Sequence, residues 1–207
     1  MLRSCSKYLR SIPTFIFSNS MSVKADTFEF FAKEVENIVK DDGLNLLFNN
    51  AGYSPKSTRI NFLKADQLTE TFLTNVVGPI MLTKSMLPLL KKAAKNSEKK
   101  FSTEGSVVVN MTSILGSISL NKEGGLYPYR CSKAALNMAT KSLSVDLKSD
   151  GILVTCIHPG WVKTDMGGKG APLEIEDSVS QIVNLVKSFN ESHNGKYFQY
   201  DGKELAW

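Results

Sequence analysis

Three cysteines, two histidines and two tryptophans are the whole supply of those residues in 207. Cys5, Cys131 and Cys156 show no CxxC spacing, which excludes a cysteine-pair zinc site or a disulfide framework and points to a reducing, cytoplasmic setting. No metal site is expected. No apolar run reaches the roughly 18 residues of a membrane span, so no membrane partner is expected either. Repeats and Pro/Gly-rich tracts are also missing, and no glycine occurs before Gly43. What remains is 42% hydrophobic and 22% charged, the composition of an ordinary globular protein with one core.

The net charge of +5 arises from 25 basic and 20 acidic residues. The densest basic stretch, Lys91 to Lys100, has no interleaved aromatics, so it reads as a solvated helix end and loop rather than a nucleic-acid surface. Residues 1–22 form an atypical leader before a domain of residues 23–207. The leader carries Arg3, Lys7, Arg10 and six serines, and no acid precedes Asp26. It resembles a mitochondrial transit peptide, and an unrelated leader is the alternative. Its β-prone run Thr14 to Phe17 is a candidate surrogate strand beside Leu44 to Phe48.

Phe28, Phe31, Val35, Ile38 and Val39 recur at helical spacing, with Asp26 placed to cap that helix and Asp42-Gly43 to stop it. Short, nearly continuous apolar runs at Leu44 to Phe48, Ser106 to Met111 and Ile152 to Ile157 read as parallel strands buried on both faces, and Lys196 to Tyr200 as a last strand. Helical patterns fill Asp66 to Lys95, with Pro79 and Pro88 as bends or restarts, Pro128 to Ser149, and Ile175 to Phe189. Strand and helix alternate as βαβαβαβ, which implies an α/β fold with a parallel sheet and right-handed crossovers. Segments 49–57, 112–127 and 158–172 all follow strand C-termini, the edge at which such sheets bind ligands.

Tyr129 and Lys133, four residues apart at the start of a helix, share one face. An ammonium near a phenol lowers the phenol pKa and suits it to proton transfer. Taken singly, the pair reads as a surface contact, Ser113 as a turn residue, and Asn75 as a satisfied core amide. His158 reads as a strand-end structural residue, His193 as solvent-exposed, and Cys131 as packing.

In order along the chain, Asn49-Asn50-Ala51-Gly52, Asn75-Val76-Val77-Gly78, Ser113, Tyr129-x-x-x-Lys133 and Pro159-Gly160 resemble the short-chain dehydrogenase/reductase family. His158 to Gly168 and the terminal Leu205-Ala206-Trp207 resemble its sniffer-type, C-factor-like carbonyl reductases. The resemblance implies a Rossmann-like doubly wound sheet and NADP-dependent reduction of a small carbonyl substrate. Tyr129 would be the general acid, Ser113 its hydrogen-bond partner, Lys133 the pKa-lowering cation and a ribose ligand, and Asn75 the holder of a relay water. Asn49, Ala51 and Gly52 would line the adenosine side of the cofactor. Pro159, Gly160, Val162 and Thr164 would seat the nicotinamide, its carboxamide and a nearby phosphate.

The family's opening strands and its Thr-Gly-x-x-x-Gly-x-Gly phosphate loop have no counterpart in these residues. NADP(H) is therefore expected to bind weakly, because the pyrophosphate loses its main donors. Leu44 to Phe48 is expected at the sheet edge. Two other readings stand beside the enzyme: a non-catalytic binding protein, pairing as a homodimer through the helices at 66–95 and 128–149, and an incomplete product of a gene whose full form is active.

Overall fold

The computed structural model describes residues 25–55 and 59–207. The leader, with its candidate strand at Thr14 to Phe17, and the side chain of Asp26 lie outside the described residues.

Four strands, β1 (Leu46–Asn49), β2 (Ser106–Met111), β3 (Ile152–His158) and β4 (Tyr197–Gln199), form one parallel sheet in the order β1-β2-β3-β4. The register places Leu47 opposite Val108, Val108 opposite Val154, and Cys156 opposite Tyr197. Every residue of β2 and β3 is buried, as their unbroken apolar runs require of strands covered on both sides. Among the described residues, β1 is an edge strand.

Helix α1 (Ala25–Val39) precedes β1. Between β1 and β2 lie α2 (Ala65–Phe72), a π-helical turn over Leu73–Val77 and α3 (Gly78–Asn96). Helix α4 (Tyr127–Asp146) joins β2 to β3, and α5 (Ile175–Lys187) joins β3 to β4. Strand alternation divides the core in two. On one face Val35, Val39, Leu47, Met86, Leu90, Val108, Leu147 and Val154 pack α1, α3 and the end of α4 onto the sheet. On the other, Val107, Val109, Leu153 and Ile157 meet Ile182, Leu185 and Val186 of α5. The strands step in one direction while the last connecting helix lies on the opposite face from the earlier two. The β3-to-β4 crossover thus has the opposite hand to its predecessors, which corrects the uniformly right-handed chain implied by the alternation.

β1 starts two residues later than its apolar run. The Leu44 N–H is given to the Leu89 carbonyl of α3 at 2.9 Å, and the Asn45 amide bonds the Gly105 carbonyl at 2.8 Å. Gly43, at φ 78°, allows this close approach: a Cβ there would meet backbone nitrogen of Ala93 at 2.4 Å. Pro88 does not restart the helix; it lies exposed inside α3, which runs on through it. Pro79 does mark a restart, since it begins α3 directly after the π-helical turn. Lacking an N–H, it gives nothing to the Asn75 carbonyl one turn back. Ala65–Asn96 is long and apolar enough by composition to cross a bilayer, but Met86, Leu90, Ala93 and Ala94 are buried against the sheet.

Candidate active site

On the α4 face the sheet turns from apolar to polar toward its strand C-termini. There Asn49, Asn110, Thr112, Cys156 and His158 succeed the aliphatic residues, all of them buried. A buried polar group must find a partner, and most do. Asn49 Nδ2 donates to Asn110 Oδ1 at 2.8 Å and to Thr83 Oγ1 at 3.3 Å; Asn110 Nδ2 donates to Thr140 Oγ1 at 2.9 Å. The Asn49 side chain is thus committed within the sheet and to α3, and its Oδ1 has no partner.

Tyr129 and Lys133 stand one turn apart at the start of α4. The Ser113 side chain faces the Tyr129 hydroxyl closely enough to lower its pKa, and Lys133 Nζ lies 5.6 Å from the Tyr129 ring centroid. Lys133 is 3% exposed and donates to the Met111 carbonyl at the end of β2, at 2.8 Å. Ser113 follows β2 in extended conformation and begins a short turn over Ile114–Gly116, its Oγ accepting the Leu115 N–H at 3.3 Å. A Cβ on Gly116 would come within 2.8 Å of Lys133 Cβ and backbone carbon, so the turn rides directly on α4.

Asn75 is fully buried on the π-helical turn. Its Nδ2 donates to the Tyr53 carbonyl at 2.8 Å and to Ser132 Oγ at 2.9 Å, and its Oδ1 accepts the Tyr53 N–H at 2.8 Å. It ties the loop after β1 to α4. A Cβ on Gly52 would lie 3.6 Å from Lys133 Nζ and 3.7 Å from Asn75 Oδ1. Gly52, Asn75, Ser113, Tyr129 and Lys133 therefore converge on one region, while Ala51 is exposed beside it. Pro159, Gly160, Val162 and Thr164 form the loop after β3. The Pro159 carbonyl accepts Ser178 Oγ at 2.6 Å. Gly160 has φ 84°, with Leu173 and the Tyr200 ring where a Cβ would go. Val162 is buried and bridges Leu173, and Thr164 Oγ1 accepts the Gly167 N–H at 3.1 Å.

Burial raises the Tyr129 phenol above its ordinary value, and the Ser113 side chain only partly counters it. The expected lowering by Lys133 is thus not the net effect: removal from water disfavours phenolate more than its neighbours favour it. Burial also pushes the Lys133 ammonium down to about 8 and the His158 imidazole down to about 4. His158 sits at the end of β3 with its Nδ1 buried and without a partner.

Two minor expectations fail. His193 is half-buried, tilted against the rings of Phe189 and Phe198 at centroid distances of 5.2 and 5.4 Å and accepting the Asn190 N–H at 3.2 Å. Cys131 is exposed, because the solvent-facing side of α4 passes through it.

A short chain dehydrogenase family profile matches residues 6–172, and 39% identity over 164 residues relates the chain to C-signal of Myxococcus xanthus, across 79% of this chain and 93% of that one. The chain belongs to the short-chain dehydrogenase family. Among solved structures it resembles carbonyl reductase Sniffer of D. melanogaster, with a TM-score of 0.91 and 46% identity over 99% of this chain and 83% of Sniffer's. It also resembles NADPH-bound carbonyl reductase from chicken fatty liver, with a TM-score of 0.86 and 32% identity over 99% and 82% of the two chains. The N-terminal part of the family match falls on residues outside those described.

Sequence reasoning passed over three residues of this short-chain dehydrogenase site. Asn137, one turn beyond Lys133, accepts Thr112 Oγ1 at 2.6 Å and donates to the Gly116 carbonyl at 3.3 Å, fixing the turn that carries Ser113. Ser132 Oγ links Asn75 to the Tyr129 carbonyl, at 2.9 and 2.8 Å. The i, i+4 spacing of Lys133 and Asn137 was a usable signal. Tyr197, whose hydroxyl donates to the Ser113 carbonyl at 2.7 Å, gave none.

Proposed function

We propose that this chain is a carbonyl reductase that takes hydride from NADP(H). The observation that carries the reading is the convergence of a buried Lys133 ammonium and the Ser113 side chain on Tyr129. Tyr129, raised by burial, keeps its proton at neutral pH and so is in the protonated form that a general acid needs. A substrate carbonyl oxygen would accept hydrogen bonds from Ser113 Oγ and Tyr129. The bound cofactor would supply the hydride. As negative charge grows on the substrate oxygen, Tyr129 transfers its proton there, giving the alcohol and a phenolate that Lys133 stabilises electrostatically.

The residues present fit the nicotinamide riboside half of such a cofactor. The Gly52 backbone comes up beside Lys133 Nζ and Asn75 Oδ1 with no side chain between them, and among the described residues one donor of the Lys133 ammonium is committed, to Met111. No glycine-rich loop for the pyrophosphate occurs in these 207 residues. For this chain we therefore expect cofactor affinity a thousandfold or more below that of a relative with the loop, since each charge-assisted bond contributes about 1.5 to 3 kcal/mol. The name of the chicken relative supports NADPH as the cofactor, and that of Sniffer supports carbonyl reduction.

The test is NADPH oxidation against a panel of aromatic and aliphatic ketones and aldehydes, with calorimetric titration of NADPH. Slow turnover that disappears in Tyr129→Phe supports the reading. Cofactor affinity in the micromolar range would overturn the expectation of weak binding, and binding without any turnover would favour a non-catalytic binding protein.

A further inference from the structure

Ser113 is useful only where its hydroxyl stands against Tyr129, yet it lies beyond the sheet ladder. The last bond in the β2–β3 direction is from the Thr112 N–H to the Ile157 carbonyl, at 2.9 Å. Beyond it the Ser113 carbonyl accepts two donors: the Gly116 N–H of its own turn, at 2.7 Å, and the hydroxyl of Tyr197, also at 2.7 Å. Tyr197 belongs to β4, two strands from β2, and is fully buried. Its hydroxyl reaches across to the backbone of the very residue that must present a hydroxyl to the substrate.

Tyr197 is itself held. After β4 the chain turns back, with Gln199 N–H bonding the Lys203 carbonyl and Leu205 N–H bonding the Tyr197 carbonyl, each at 2.8 Å. The Trp207 ring then stacks on Tyr197, with centroids 5.3 Å apart and planes inclined by 29°. The same segment grips the far side of the Ser113 loop. Ser117 Oγ donates to the Ala206 carbonyl at 2.7 Å, and Ser119 donates to the Trp207 carbonyl from its backbone at 3.1 Å and its hydroxyl at 2.8 Å. A closed circuit runs from β4 through residues 203–207 to residues 117–119, back to Ser113, and through the Tyr197 hydroxyl to β4.

We propose that Tyr197, clamped by Trp207, is a positioning residue that fixes the Ser113 hydroxyl against Tyr129. It touches neither substrate nor cofactor and acts through the Ser113 backbone. A core tyrosine satisfied by an arbitrary carbonyl would contribute stability alone, whereas this one also sets the geometry of proton transfer. The inference rests on the carbonyl-reductase reading of the site.

The experiment compares Tyr197→Phe, Trp207→Ala and Trp207→Phe with the parent, first in NADPH-dependent carbonyl reduction and then, without cofactor or substrate, in an NMR titration of protein carrying 13C at tyrosine Cζ, with Tyr129→Phe assigning the Tyr129 signal. The groups facing the Tyr129 hydroxyl are Ser113 from the β2 loop and Lys133 from its own helix, with Cys156 of β3 and Tyr197 of β4 in the same interior. Tyr197→Phe retains the stacked ring and loses one neutral hydrogen bond, so kcat falls about tenfold with KM nearly unchanged. Trp207→Ala behaves alike, and Trp207→Phe, which keeps a stacked ring, recovers most of the lost rate. Because the Ser113 side chain lowers the Tyr129 pKa, loosening Ser113 moves the Tyr129 titration and the alkaline limb of kcat to higher pH. A parental kcat and an unmoved Tyr129 titration in folded Tyr197→Phe overturn the proposal. If parent and variants all lack turnover, the carbonyl-reductase reading fails, while the titration still decides whether Tyr197 positions Ser113.

Discussion

Replacing Lys133 by methionine should make the protein more stable at neutral pH while removing its activity. Lys133 is 3% exposed, and burial lowers its pKa from 10.5 to about 8. A lysine whose folded pKa lies below its unfolded value binds fewer protons in the native state between those values, so its contribution to stability rises with pH across the window. The penalty is fully present below about pH 8 and gone above about pH 10.5. At 1.36 kcal/mol per unit, a difference of about 2.5 units corresponds to roughly 3 kcal/mol at pH 7 and about 1 kcal/mol at pH 9.5. Methionine has no such penalty, but it leaves the Met111 carbonyl without its 2.8 Å donor, at about 1 to 3 kcal/mol. Lys133→Met is therefore expected to gain about 1 kcal/mol at pH 7 and to lose that advantage by pH 9.5. Urea unfolding of parent and variant at both pH values measures it. A variant less stable than the parent at pH 7, or a difference that does not change with pH, would refute the reasoning.

Three further outcomes are expected. His158, with a folded pKa near 4 against 6.5 unfolded, should cost the parent about 2 to 3 kcal/mol as pH falls from 6.5 through 4; His158→Asn should flatten that acid limb in urea unfolding, and parallel profiles would count against it. Asn75→Ala strands both backbone groups of Tyr53 and takes one of two partners from the Ser132 hydroxyl, so about 3 kcal/mol and roughly 6 to 12 °C in Tm should be lost, read by calorimetry. Gly160→Ala, at φ 84° with Leu173 Cδ2 2.7 Å from the new Cβ, should lower stability by about 1 to 3 kcal/mol, whereas Gly52→Ala, whose Cβ meets only ordinary contacts, should leave Tm in place and weaken NADPH binding in calorimetry.

β2 and β3 were legible because strands buried on both faces have continuous apolar runs, and the structure holds them at Ser106–Met111 and Ile152–His158. β1 was displaced because Leu44 and Asn45 give their polar groups to Leu89 and Gly105, contacts about 45 and 60 residues distant that no local pattern reports. The π-helical turn at Leu73–Val77 left one trace in the sequence, Pro79, and Pro88 left the same trace where the helix runs on without a restart. The opposite hand of the last crossover depends on which sheet face α5 covers, and strands buried on both faces show no alternation to reveal it. In the site, Tyr129 and Lys133 could be placed together by helical spacing. The direction of the Tyr129 pKa shift depends on burial, which only the fold supplies, and Tyr197 meets Ser113 from 84 residues away.

In the proposed reaction Tyr129 protonates a carbonyl oxygen while NADPH reduces its carbon. The most direct measurement follows deuterium from NADPH labelled at the nicotinamide C4 into the carbinol carbon of the product, at saturating cofactor, for the parent and for Tyr129→Phe. Deuterium transfer is expected from the parent and none from Tyr129→Phe, with both proteins equally folded. Deuterium transfer at the parental rate by Tyr129→Phe, or none by the parent with NADPH shown to be bound, would contradict it.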